Sequence, residues 1–222
     1  MLILVPTANE QAILTDELGA AVLRANQIEL IGFGPVAAAA RTAALLAEER
    51  PTAVLLVGIA GSLGEQIEVG ESLEFASVAC YGVGAGTGDG FLSAGKLGWP
   101  QWPGDAAAGT PEVGDELVLD QPTKAGCGDN TGGSSLLLSA CAASASAADA
   151  AMRLAEFPNA VAEDMEGFAV ALACRLASVR CRIIRGISNR AGDRDKANWQ
   201  IEPALRAAAD LAKAVLREED VH

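Results

Sequence analysis

The residues best placed by type and spacing to do chemistry stand at the joints of one stretch, FPNAVAEDMEGFAVALACRLASVRCRIIRGISNRAGDRD, residues 157–195. A short apolar run, Ala160 to Glu163, stops at Asp164-Met165-Glu166-Gly167, and a β-branched run, Arg182 to Ile187, ends at Ser188-Asn189. Between them Phe168 to Leu176 is nearly continuous in apolar residues, as a buried helix would be. In a parallel α/β sheet, polar groups just beyond the carboxyl ends of strands face the ligand crevice. That geometry predicts Glu166 and Asn189 at one mouth, on separate strand ends, where a carboxylate grips a sugar hydroxyl and an amide a heterocyclic base. The alternative for Glu166 is an acid that caps a helix start, and for Asn189 a turn former at a strand end. The one histidine is His222, the last residue. Histidine-based triads, dyads and histidine-rich metal sites are therefore excluded, and the chemistry rests on carboxylates, amides and backbone dipoles.

The elements that must position these groups read as alternating strands and helices. Leu2 to Val5 is an apolar run, a central strand candidate, and Thr7 or Asn9 is placed to cap a helix carrying Ile13, Leu14, Leu18 and Val22. Glu10 falls in its first turn, near the positive end of the helix dipole, either as a dipole partner only or as a functional acid. Gln27 to Phe33 reads as a strand, and Gly34-Pro35 opens an alanine-rich helix to about Glu49, the glycines of GFGP allowing the tight turn. Ala53 to Gly58 is the next strand. GVGAGTGDGF (82–91) lacks the context of a dinucleotide site and reads as a mobile loop, continued by irregular chain through 95–114. Phe91, Trp99 and Trp102 are candidates for an aromatic face toward a substrate, or for a surface or subunit contact. Ser135 to Ala140 reads as a strand, Ala147 to Glu156 as a helix, and about Asn198 to Arg217 as a final helix with a frayed tail, 218–222.

A chain of 222 residues, half of them apolar, can bury a sizeable core as one domain, 1–222. The net charge of −13 argues against nucleic acid or an anionic membrane as partner, since it leaves no broad cationic surface. The five cysteines are odd in number and have no CxxC spacing, and of them Cys174 and Cys181, in apolar surroundings, read as small hydrophobes. No uninterrupted apolar run reaches membrane-spanning length, and no basic region precedes the opening apolar stretch, so a cytoplasmic location is expected.

The pattern FP-x-A-x-A-x-[ED]-ME at 157–166, followed about twenty residues later by R-[GA]-IS-[DN] at 185–189, resembles the nucleoside phosphorylase and nucleosidase superfamily. The resemblance spans nearly the whole chain and implies a three-layer α/β/α fold around a central mixed twisted sheet. It implies that Glu166 accepts hydrogen bonds from ribose hydroxyls and that Met165 packs on the ribose face. Glu10 takes the part of a glutamate that orients or deprotonates the attacking water, although PTANEQ stands where nucleosidases carry AMEEE. GIAGSL (58–63) resembles G-[ST]-[AC]-G-G-L, which makes Ala60 and Gly61 loop residues lining the ribosyl centre. GFGPVAAAA resembles G-x-G-K-x-N-A-A with two polar residues replaced by Pro35 and Ala37, and no arginine stands near 32–36 or 58–64. Both points favour water over phosphate as nucleophile. Val69-Gly70-Glu71 resembles the V-G-D turn that precedes a strand, here Ser72 to Tyr81, and Ser144 to Ser146 fall near the base.

Asn189 would meet the purine at N7 and the six-substituent. Adenine-specific relatives carry Asp there, so Asn implies a 6-oxopurine, hypoxanthine, as leaving base. SNRAGDRD (188–195) resembles the futalosine hydrolases within the superfamily. That likeness implies hydrolysis of futalosine, an inosine-like nucleoside with a carboxylated phenyl ketone tail on a menaquinone route, to hypoxanthine and dehypoxanthinyl futalosine. The alternatives are a 6-oxopurine nucleoside phosphorylase, and a nucleoside-binding protein without catalysis. Seven of the sixteen Lys and Arg residues lie between Arg175 and Lys196. Arg190 or Arg194 would meet the tail carboxylate, Asp193 and Asp195 would pair with them, and Arg180, Arg182 and Arg185 would form a solvated strand rim or subunit contact. Asp164 reads as a structural acid. The resemblance implies no metal or organic cofactor, and a homo-oligomer, a dimer or larger.

Overall fold

Strands and helices alternate along the chain in the computed structural model, which describes residues 1–120 and 135–219. In order they are β1 (Leu2–Val5), α1 (Ala8–Leu23), β2 (Gln27–Leu30), α2 (Pro35–Glu49), β3 (Ala53–Ser62), β4 (Ser72–Glu74), β5 (Ser77–Tyr81), β6 (Gly84–Ala85) and β7 (Leu92–Ser93). There follow β8 (Glu116–Val118), β9 (Leu136–Ala140), α3 (Ala147–Glu156), β10 (Ala160–Asp164), α4 (Gly167–Leu176), β11 (Arg180–Arg190) and α5 (Ile201–Glu219). Cys127 and residues 220–222, His222 among them, lie outside the described residues.

The central sheet runs β2-β1-β3-β10-β9-β5-β8, with β11 beside β3 and β4 beyond β11. It is mixed. β11 lies parallel to β3 from Arg180↔Ala53 to Arg190↔Ser62, whereas β10 meets β3 antiparallel at Glu163↔Gly61 and Ala162↔Ser62. The first half of β3 pairs with β1 instead, Leu2↔Val54 to Leu4↔Leu56. Alternate residues of these strands feed two cores, as period-two side-chain alternation requires. Leu2, Leu4, Val54, Leu56 and Ile183 pack under α2 and α4, while Ile3, Val5, Leu55, Val57 and Ile184 pack under α1 and α5. Helices thus cover both faces of the sheet, giving the expected three layers.

Several boundaries differ from the sequence reading. GIAGSL is not a loop: β3 continues through Ser62, because β11 runs alongside it and satisfies its backbone groups. For the same reason β11 carries Ser188 and Asn189 within the strand rather than past its end. The expected strand from Ser72 to Tyr81 divides at Phe75-Ala76, β4 pairing with β11 and β5 with β9. Residues 82–114 hold a small β6–β7 hairpin and bridges at Trp102↔Val113 and Asp105↔Thr110, where irregular chain was expected. The final helix reaches Glu219, which is not frayed, because its carboxylate pairs with Arg180 at 2.8 Å and Arg182 at 3.3 Å.

Candidate active site

A cleft of about 630 Å³ opens where β1, β3, β10 and β11 end together. Thr7 and Glu10 come to it from the β1–α1 joint, Ala60 and Gly61 from β3, Met165 and Glu166 from the end of β10, and Asn189 from β11. Arg194 lines it from the segment before α5. Arg190 does not: its exposed guanidinium turns away to the Gly64 carbonyl at 3.3 Å and Glu68 at 3.5 Å. Of the two arginines expected at the tail carboxylate, the structure brings only Arg194 to the cleft.

Under the cleft floor lies a buried charge cluster that the sequence reading placed elsewhere. Arg185, expected on a solvated rim, is fully buried, and Arg182 is nearly so, bound to Glu74. Arg185 donates through Nε at 3.0 Å and Nη2 at 2.5 Å to Asp164 Oδ2, and its Nη2 lies 3.4 Å from Glu166 Oε2. Burial alone would weaken its charge. Asp164, Glu166 and Glu10 outweigh that and hold the guanidinium above its ordinary value. Three carboxylates share this one cation, and the imbalance falls on Glu166. Burial, the largest cause, raises its carboxyl to about 7; Arg185 opposes the rise, Asp164 adds to it, the Gly34 N–H opposes it and Glu10 adds to it.

Glu166 stands at the N-cap of α4 yet makes no capping hydrogen bond there. Capping falls to Asp164, which accepts from Gly167 N at 2.9 Å, and to Ser139, which accepts from Phe168 N at 2.8 Å. Asp164 is thereby the structural acid expected of it, since it also accepts from the Ser139 hydroxyl. Glu166 Oε1 is free of its own helix and accepts from Gly34 N at 2.9 Å. Gly34, at φ +82°, makes the turn foreseen for GFGP and also delivers this N–H, a role that turn chemistry alone does not reveal.

Glu10 is buried at 4% exposure. Its Oε1 accepts from Ile59 N at 2.9 Å and its Oε2 from the Thr7 hydroxyl at 2.5 Å, while Thr7 caps α1 by accepting from Glu10 N. Each carboxylate oxygen keeps a lone pair for a further donor. Gly58 makes this proximity possible, because a Cβ there would strike the Arg185 guanidinium and the Glu10 carboxylate together.

Asn189 owes its aim to a bulge. Ile187 pairs with Ala60 and Asn189 with Gly61, so Ser188 is the extra residue on β11. The Ser188 hydroxyl donates to Asn189 Oδ1 at 2.8 Å, and Asn189 Nδ2 donates to the Arg190 carbonyl at 2.9 Å. These bonds fix the amide's orientation and leave one N–H and one oxygen lone pair for a ligand.

The wall beside Asn189 is the loop 141–146, of which Cys141 to Ala145 line the cleft; of the residues expected near the base, Ser144 and Ala145 reach it and Ser146 does not. Of the two alternatives for the aromatic residues the substrate face is not found, while the exposure of Trp99 fits the surface alternative. Phe91 packs on Tyr81 with centroids 5.4 Å apart, Trp102 packs against the core, and Trp99 is exposed, none of them lining the cleft. Phe33 and Trp199 line it instead, Phe33 within the GFGP turn and Trp199 just before α5. Their neighbourhood to the motifs was the signal available. Arg194 stacks over Trp199 at 5.3 Å, and Lys196 adds a second cation to that end. Asp193 and Asp195 do not pair with the arginines as expected: Asp193 accepts from Asp195 N and Asn198, and Asp195 from Ala197 N. Among the described residues no group of His, Cys, Asp and Glu side chains is arranged to hold a metal ion.

A family model described as the phosphorylase superfamily matches residues 27–218. A futalosine hydrolase of Streptomyces coelicolor is 34% identical over 184 residues, 81% of this chain and 73% of the relative. One of Acidothermus cellulolyticus is 38% identical over 162 residues, 72% of this chain and 63% of the relative. Among solved structures, the futalosine hydrolase of Helicobacter pylori superposes with a TM-score of 0.76 at 17% identity, covering 98% of this chain and 97% of that one, a likeness of fold.

Proposed function

The chain belongs to the phosphorylase superfamily, and from that premise we propose that it hydrolyses the N-ribosidic bond of futalosine, releasing hypoxanthine and dehypoxanthinyl futalosine. The observation that carries the reading is the convergence of Glu10, Glu166 and Asn189 on one cleft. The C1′–N9 bond breaks with its electron pair passing to the purine, and positive charge grows on the sugar. Glu166 accepts from the ribose hydroxyls, and that bond strengthens as the charge develops. The cluster of three carboxylates around Arg185 is short of positive charge, so a cationic sugar in the cleft relieves the imbalance. Asn189 donates its remaining N–H to O6 or N7 of the departing base, which takes up a proton from water. A second water, held by Glu10, forms the new bond to C1′ and gives its proton to that carboxylate, which passes it to the hydroxide left by the first water, so that the net change is one water divided between C1′ and the base. Ala60, Gly61 and Met165 shape the contact with the ribose, and Arg194 meets the tail carboxylate.

Water is the nucleophile in this reading because the cations of the cleft, Arg194 and Lys196, stand on the segment before α5, away from the glycine turn at 32–34. The chain acts as one domain in the cytoplasm, as a homo-oligomer, and without nucleic acid or membrane partners. The net charge of −13 supports only the exclusion of nucleic acid and anionic membrane, and the homo-oligomer rests on family likeness; no described helix is long and apolar enough to cross a membrane. The test is hypoxanthine release from futalosine and inosine with and without phosphate. Release should continue in phosphate-free buffer. Strict phosphate dependence would make the protein a phosphorylase, and tight binding without turnover a nucleoside-binding protein.

A further inference from the structure

Two buried charges beside the cleft take no part in the chemistry above. Glu163, next to the last residue of β10, and Arg153, on α3, are 5% and 7% exposed and form an ion pair at 2.5 Å. A buried pair of this kind contributes little net stability, because desolvation offsets the attraction. Its remaining hydrogen bonds all go to one place. Glu163 Oε1 accepts from Ser144 N at 2.8 Å and Oε2 from the Ser144 hydroxyl at 2.7 Å, while Arg153 Nη2 donates to the Ala142 carbonyl at 2.6 Å. Tyr81 backs the guanidinium at 5.2 Å.

The loop so held, 141–146, has no regular structure of its own, and its cleft-lining residues are small, so its backbone forms much of the surface. Its far end abuts the turn that follows Asn189: a Cβ on Gly192 would collide with the Ser146 backbone. The loop therefore faces the base-reading end of the cleft rather than the sugar end, where Glu10, Gly34 and Glu166 meet. We infer that Arg153 and Glu163 are positioning residues that hold residues 142–145 as the wall on which the purine packs, making this ion pair a determinant of base affinity and base choice. The inference rests on the nucleosidase reading and adds a specificity element to it.

The test compares wild type with Glu163→Gln and Arg153→Met in two measurements, calorimetric binding of free hypoxanthine and steady-state hydrolysis of inosine and adenosine. Hypoxanthine Kd should rise at least tenfold in both variants. KM for inosine should rise with kcat changed less than threefold, and the preference for inosine over adenosine should shrink. A purely structural pair would give the opposite split, with hypoxanthine Kd unchanged or kcat alone reduced, and either result overturns the inference. If the charge variants do not fold, Ser144→Ala removes one arm of the clamp and leaves the ion pair in place. A three- to tenfold rise in hypoxanthine Kd then supports the wall, and an unchanged Kd overturns it. Should wild type cleave no nucleoside, the hydrolase reading falls, while the calorimetric arm still decides the wall: wild type that does not bind hypoxanthine, or variants that bind it equally well, refute it.

Discussion

Replacing Glu166 by glutamine should make the protein more stable at alkaline pH while disabling it. In the folded chain this carboxyl is raised from 4.5 to about 7, chiefly by burial. A folded value above the unfolded one means that folding disfavours the ionised form. The stability linked to this group is therefore fully present below about pH 4.5 and is lost as pH rises toward 7. Taking those two values, the wild type loses roughly 2.5 kcal/mol from Glu166 between pH 5 and pH 8. Glutamine does not titrate, and its amide oxygen can still accept from Gly34 N. Urea unfolding of both proteins at pH 5, 6, 7 and 8, at one protein concentration, gives the difference directly. The glutamine variant should gain on the wild type by about 2 to 3 kcal/mol across that range. A difference that stays flat within about 0.5 kcal/mol, or moves the other way, refutes the account of three carboxylates competing for Arg185. The same carboxylate must be ionised to accept from ribose. Wild-type kcat/KM should thus fall about tenfold per pH unit below pH 7, and the variant should show a loss of about 100-fold at pH 8 without that acidic limb.

Other perturbations probe the remaining parts. Asn189→Asp should move the kcat/KM ratio of inosine to adenosine at least about tenfold toward the 6-amino purine; an unchanged ratio removes Asn189 from base reading. Glu10→Gln should lower kcat by about 100- to 10,000-fold with KM little altered, since the amide cannot take the proton from water. Gly58→Ala pushes a methyl group between Arg185 and Glu10. It should cost about 1 to 3 kcal/mol in thermal unfolding and most of the activity, whereas unperturbed turnover would mean the two charges need not approach.

The cleft was legible in the sequence where a residue's role follows from its place at a strand end. Glu166, just past β10, and Glu10, in the turn after β1, come to the cleft in this way, and Asn189 comes to it from within β11. Arg185 and Arg182 were not legible, because an arginine on a strand is exposed unless acids from other elements neutralise it. Those acids, Asp164, Glu166 and Glu74, stand 108 to 19 positions away along the chain. The extension of β3 through Ser62 was hidden for a related reason. Small residues such as Gly61 weaken a strand reading locally, and only the partner strand β11 restores it. The cleft positions of Phe33 and Trp199 were not legible, because an aromatic side chain carries no mark of which surface it will face. Arg190 and Arg194 are four residues apart in one polar loop, and nothing in their types separates the one that turns to Glu68 from the one that stacks on Trp199.

The bulge at Ser188 has an evolutionary consequence. Were β11 to run on at full length without the bulge, Ser188 would pair with Gly61 and Asn189 with Ser62, and the carboxamide would turn to the opposite face of the sheet while Arg185 stayed where it is. In the proposed mechanism a lineage changes its preferred nucleobase by exchanging the side chain at Asn189 or by reshaping the 142–145 wall, while the bulge that aims Asn189 is kept.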